Sequence, residues 1–355
     1  MSKFWIACLV AGAGALPAAA DHSAAPAAGI AFVDTEHFAT LPDGVRFPEG
    51  ITANPATGDL FVGTFDFGPN SNKLVRLDHD GHVSAMKDFG AAPLLGLAFS
   101  GGKVYILNFG AGSLQRIPAN FDASTPVETV ALMPIIGAPA PGTAANPDGS
   151  SDTITFGSSG KAAPNGMVFD SAGNAYISDS FQGAIFQVAH AATCATPCPV
   201  TTVSHDPQLA TAGTPPFGAN GLALSTDQKT LYIANTGDHR VLAMDVASHA
   251  LSVFSISLFG ADGLLLENGR LWVATNQADQ VVALNASGRI TIKAGEFLGV
   301  RADGTPRGLL FPASMVVVGN SMYVTNLALP LTPPVGDEPE DFVTHWTISR
   351  FRVPH

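Results

Sequence analysis

Three observations predict an all-β chain folded as a six-bladed β-propeller with four strands to a blade. Gly (37) and Pro (26) are plentiful while charged residues make up only 13% of the 355, a pairing that favours short strands and tight turns over long helices. A strand-turn-strand unit with an aromatic residue in its second strand recurs six times, and such periodicity marks an array of like units. Each copy opens on a small residue suited to a crowded axial channel. The length is compatible with a single all-β domain.

At the N terminus, Met1-Ser2-Lys3 precedes an apolar run from Phe4 to Leu16 and then Pro17-Ala18-Ala19-Ala20. This is the pattern of a secretory signal peptide over residues 1–20. The run is too short and too rich in Ala and Gly to span roughly 30 Å of hydrocarbon, so no membrane association is expected after cleavage. Cys8 lies inside the run rather than after it, which argues against a lipid anchor. Residues 21–29 are expected to be a flexible mature N terminus and residues 30–355 the propeller, in a periplasmic or secreted protein. Losing Lys3 takes the formal net charge from −12 to −13, which makes nucleic acid a poor partner. Cys194 and Cys198 remain, and their close spacing in an oxidising compartment suggests a small disulfide-closed loop.

The six second strands read Leu60-Phe61-Val62, Val104-Tyr105-Ile106, Ala175-Tyr176-Ile177, Leu231-Tyr232-Ile233, Leu271-Trp272-Val273 and Met322-Tyr323-Val324, and all four tyrosines of the chain fall in this column. Upstream lie Gly50, Gly96, Gly166, Gly221, Gly263 and Ser314, each opening an innermost strand. Third strands follow, as at 73–78 and 240–245, and fourth strands, as at 290–294. The last copy ends after its third strand near 346–353, so Ile30 to Thr40 is expected to supply the fourth and close the ring against an exposed sheet edge.

Immediately before the small residues stand Glu49, Leu95, Asn165, Asn220, Asp262 and Ala313. Because each opens the axial strand of its own blade, the four oxygen-bearing members should face one mouth of the channel. Two carboxylates and two amide oxygens make a hard-oxygen set suited to one divalent ion, Ca²⁺ foremost, with Mg²⁺ or Mn²⁺ also served and Zn²⁺ less natural without Cys or His. The alternative is that polar residues before Gly merely fill turns. Glu is not a turn residue, however, and converging carboxylates repel unless a cation or proton intervenes.

Phe47-Pro48-Glu49-Gly50, Pro164-Asn165-Gly166-Met167, Ala219-Asn220-Gly221-Leu222 and Ala261-Asp262-Gly263-Leu264 resemble the metal-binding strand starts of the regucalcin and gluconolactonase family, over about Phe47 to Asn326. The resemblance implies that Glu49, one or both of Asn165 and Asn220, and Asp262 hold the metal, and that Asp262 serves as general base in lactone hydrolysis. Paraoxonase-type lactonases are similar, but their further Asn ligand has no match, since Gly263 follows Asp262. The expected function is metal-dependent hydrolysis of a lactone or related ester, with Asp262 or metal-bound water activating attack. The alternatives are a non-catalytic propeller that binds a sugar, peptide or protein, and a propeller lyase.

Strand alternation puts the loops 134–163 and 207–218 on the metal face and the Cys194/Cys198 loop on the far one. Thr64, Asn108, Asp179, Asn235, Thr275 and Asn326 end the second strands near the same mouth, where they either orient ligands or satisfy strand-end backbone. His239 reads as an exposed histidine and 337–341 as a solvated acidic loop. There is no Gly-x-Ser-x-Gly elbow, His-Glu-x-x-His helix or phosphate loop.

Overall fold

A computed structural model describes residues 29–145, 148–157, 160–331 and 338–354. The expected signal peptide and nearly all of the expected flexible segment lie outside them. The fold is a six-bladed propeller of four-stranded blades with almost no helix. The first blade runs outward through Pro48–Ala53, Leu60–Thr64, Asn72–Leu77 and Val83–Gly90. The other innermost strands are Leu94–Ser100, Pro164–Phe169, Ala219–Leu224, Ala261–Glu267 and Pro312–Val318.

The apolar faces of successive blades bury one another, so the core is a set of wedges between blades. Phe61, Leu97 and Ile106 join the first two blades, while Tyr105, Met167 and Phe186 join the second and third. The second-strand aromatics belong to these wedges: Tyr105 meets the ring of Phe169 edge-on at 4.8 Å, and Trp272 meets Phe351 at 5.6 Å. The small-residue column has an equally direct cause. A Cβ at Gly50, Gly166 or Gly221 would run into the carbonyl of Leu95, Asn220 or Asp262 on the next blade.

In the last blade, Glu36–Thr40 pairs antiparallel with Thr347–Arg352 as the fourth strand, closing the ring as expected. The expected closing segment is nevertheless divided. Ala31–Val33 instead pairs parallel with Ile290–Ala294 of the fifth blade, which thereby gains a fifth strand. Residues 31–40 thus staple two neighbouring blades. Cys194 and Cys198 are disulfide-bonded, with Cα atoms 5.7 Å apart, in the connection between third and fourth strands of the third blade. Among the described residues no helix is long and apolar enough to cross a membrane.

Candidate metal centre

In every blade the pairing of first and second strands slips at the same place, between Pro48 and Ile51, Leu94 and Leu97, Pro164 and Met167, Ala219 and Leu222, Ala261 and Leu264, and Pro312 and Met315. Such a bulge re-aims the residue it contains. The bulged residues are Glu49, Leu95, Asn165, Asn220, Asp262 and Ala313 with the small residues that follow them. Glu49, Asn165, Asn220 and Asp262 are all buried, and all four line one cavity at the mouth of the channel. The four residues that the repeat predicts to converge therefore do so.

The residues that set their orientation lie one position beyond the strand-end column singled out in the sequence. Asn165 Nδ2 donates to Ser180 Oγ (2.8 Å), and that hydroxyl gives its own proton to the carbonyl of Ala219 (2.7 Å). Asn220 Nδ2 donates to Thr236 Oγ1 (2.9 Å), which donates to the carbonyl of Ala261 (2.7 Å). A hydroxyl whose only proton is committed can only accept from its other partner, so each amide turns its nitrogen to the hydroxyl. Its oxygen is left for the cavity. In the fifth blade the equivalent residue, Asn276, donates from Nδ2 to Asp262 Oδ2 (3.2 Å).

The strand-end residues themselves serve the backbone. Asp179 accepts from the amides of Ala163 and Gln182, Asn235 donates to the carbonyls of Gln208 and Ala210, and Asn326 accepts from the amide of Leu310. Thr64, Asn108 and Thr275 are likewise bonded locally, and none of the six lines the cavity. His239 accepts from the amide of Gly260 at Nδ1 (3.0 Å), steadying the turn that leads into Asp262. Of the expected overhanging loops, the second contributes Pro215, Pro216 and Phe217 to the cavity. Among the described residues of the first none lines it: Gly142–Ala145 and Ser151–Ile154 form a hairpin that borders the other loop instead. Gln182 anchors it, accepting from the amides of Ile136 and Gly137.

No Lys, Arg or His is among the described residues lining the cavity. Desolvation, and then the charge of Asp262, raise the Glu49 carboxyl well above its usual range. Desolvation pushes Asp262 up to about 7, opposed by hydrogen bonding from Asn276 and Asn220. Four of the seven buried side-chain polar atoms without a hydrogen-bond partner among the described residues are Glu49 Oε2, Asn165 Oδ1, Asp262 Oδ1 and Asn276 Oδ1. Buried polar atoms are normally paired, so this concentration of unpaired acceptors in one cavity fits a hard cation and does not fit a bound anion. Among the described residues there is no group of three or more His, Cys, Asp or Glu placed to hold a metal. A cation here would have two carboxylates and otherwise neutral amide oxygens, a donor set in keeping with Ca²⁺.

Residues 148–294 match the family model described as the SMP-30/Gluconolactonase/LRE-like region. No curated protein matches the chain by sequence. Regucalcin of Agrobacterium tumefaciens strain C58, described as a calcium-binding protein, superposes with a TM-score of 0.59 at 15% identity, over 91% of this chain and 97% of its own. A gluconolactonase from Xanthomonas campestris gives a TM-score of 0.52 at 14% identity, over 89% and 88%. Virginiamycin B lyase from Staphylococcus aureus gives 0.51 at 13%, over 90% and 99%. At these identities the likeness is one of fold. Residues 148–294 are thus similar to the SMP-30/gluconolactonase/LRE-like region, and the chain has the six-bladed propeller fold seen in the regucalcin and gluconolactonase structures.

Proposed function

We propose that the protein is a divalent-cation-dependent hydrolase of a lactone or related ester, with Glu49, Asn165, Asn220 and Asp262 as the cation's ligands. The observation that carries this reading is the gathering of unpaired acceptor oxygens in a buried cavity with no basic side chain among the described residues that line it. Calcium is the preferred ion, in keeping with the hard-oxygen donors and with the calcium binding stated for the bacterial regucalcin. When bound, the cation supplies Lewis-acid polarisation of the ester carbonyl.

The chain's own groups do the rest. Asp262 is held at Oδ2 by Asn276, while its Oδ1 has no partner. Oδ2 accepts one hydrogen bond and keeps acceptor capacity for the cation, so Oδ1 is the atom that takes a proton from the attacking water as its oxygen bonds to the acyl carbon. The same atom returns that proton to the alkoxide released when the ring C–O bond breaks. Ser180 and Thr236 keep the two amide oxygens aimed, and the surrounding apolar side chains exclude bulk water. The disulfide supports the periplasmic or secreted placement that goes with this reading.

The test is hydrolysis of a lactone panel by protein stripped with a chelator and then resupplied with Ca²⁺, Mg²⁺, Mn²⁺ or Zn²⁺. Activity should vanish on stripping and return with the ion. Activity indifferent to chelation counts against the proposal, and a product lacking the mass of one added water points to elimination instead. Ser180→Ala frees the amide of Asn165 to rotate and is expected to weaken cation affinity by about tenfold or more. Calorimetric titration reads this directly, and an unchanged affinity removes Ser180 from the role given to it.

A further inference from the structure

Resting on the hydrolase reading above, we propose that the substrate is a lactone or ester bearing an uncharged hydrocarbon substituent, alkyl or aryl, in place of the hydroxyl groups of a sugar acid. The cavity is divided by blade. Its polar residues come from the third, fourth and fifth blades and from Glu49, and each of their amide nitrogens already donates within the protein. The amide nitrogens of Asn165, Asn220 and Asn276 are engaged by Ser180, Thr236 and Asp262. The remaining wall is Phe65, Leu95, Phe217, Phe311, Leu327 and Leu329, extended by Leu331 and two prolines. No Ser, Tyr, Gln, Lys, Arg or His is among the described residues that line it.

The hydroxyls of a polyhydroxylated substituent laid along this wall would exchange water for hydrocarbon. Each such loss weakens binding by about tenfold. A hydrocarbon chain instead gains about threefold to fourfold for each methylene it buries.

The apolar wall is also built in advance. Phe311 sits in the left-handed region (φ 45°), a costly conformation for a bulky side chain, and its amide is held by Asp279 Oδ1 at 2.7 Å. The carbonyl of Leu327 accepts from Trp346 Nε1 (3.0 Å), and its amide donates to the carbonyl of Phe311 (3.1 Å). From the cavity an aromatic track leads outward: Phe65 meets Phe67 edge-on at 4.8 Å, and Phe67 is 66% exposed. The polar floor suits the ester carbonyl and the cation, and the hydrocarbon lies along the wall and this track.

The experiment measures kcat/KM with Ca²⁺ present for γ-lactones whose unbranched side chain lengthens from methyl to octyl, beside a sugar-acid γ-lactone. Binding of the matching γ-alkyl lactams, which resist hydrolysis, is followed by calorimetry. Both quantities should climb about threefold for each methylene until the track ends, with the sugar-acid lactone at least about a hundredfold below octyl. Leu329→Asn and Phe217→Ser should each flatten the climb, and using both keeps the result readable if one fails to fold. Turnover of the sugar-acid lactone at or above the alkyl series, or a flat series with wild-type protein, overturns the proposal while leaving the hydrolase reading standing. Lactams that climb with chain length while no lactone is hydrolysed overturn the hydrolase reading and support the apolar site. Absence of both binding and turnover defeats both.

Discussion

Asp262→Asn is expected to lower kcat/KM for lactone hydrolysis by about a thousandfold or more. The substitution changes shape very little, and its effect is chemical. Among the described residues lining the cavity, it removes the carboxylate whose second oxygen is fixed by a neighbouring amide, and with it the unpaired oxygen to which we assign water's proton, leaving Glu49 Oε2 as the other unpaired carboxylate oxygen. It also takes away half the charge available to a cation, since Glu49 is the only other acidic residue lining the cavity among those described. The loss should appear chiefly in kcat where cation is supplied in excess, because saturating ion restores occupancy but not proton transfer. A variant that keeps more than about a tenth of wild-type kcat/KM under those conditions would remove Asp262 from the base role.

The second large effect concerns stability. Burial raises the carboxyl pKa of both Glu49 and Asp262, the latter to about 7. A raised carboxyl favours the fold most where it is protonated in both states, below the unfolded value near 4. That contribution is lost as pH rises towards 7, because unfolded carboxyls ionise freely while the buried ones resist. The cation-free protein should therefore carry a penalty at pH 8 that is absent at pH 4. Asp279 and Glu340, close to the same mouth, are also raised by burial, so the site's share is read as the difference between wild type and Glu49→Gln.

Without cation at pH 8 the variant should be the more stable by about 1–4 kcal/mol, because it replaces an unpaired buried charge by a neutral group. With cation at about a hundred times its dissociation constant, wild type should gain about 2.7 kcal/mol and the variant much less. The gain should shrink at pH 5, where protons compete for the ligands. Denaturant titrations in chelator and in Ca²⁺ at both pH values provide the check. A wild type more stable than the variant in chelator at pH 8 would contradict the account of these carboxyls.

The repeat was legible because it reflects a physical necessity. Glycines mark five of the six inner strands since the next blade's carbonyl leaves no room for a Cβ, and the aromatic column marks the wedge between blades. The oxygen donors were legible for the same reason, being tied to the glycines by one residue. Ser180, Thr236 and Asn276 were missed by a single position. At a strand end successive side chains face opposite ways, so Asp179 and Asn235 turn to the backbone of incoming loops while their neighbours face the axis. The apolar wall was not legible, because Phe217, Phe311 and Leu329 come from connections that carry no periodic signal. The departure of Ala31–Val33 to the fifth blade was likewise unannounced, since three residues are too few for a pattern to choose between adjoining sheets.

The strand that completes the last blade also sets a schedule for synthesis. Glu36 meets Arg350 across 314 positions, its Oε1 accepting from Nε at 2.6 Å, and the hydroxyl of Thr325 donates to the carbonyl of Glu49. Until the strand Thr347–Arg352 has been made, the blade bearing Glu49 and the blade bearing Asp262 have no complete partner between them to hold the ring shut. Early blades can assemble in turn while the chain emerges, but the four residues of the candidate centre can be held around one cavity only after the last blade, 312–352, has been made.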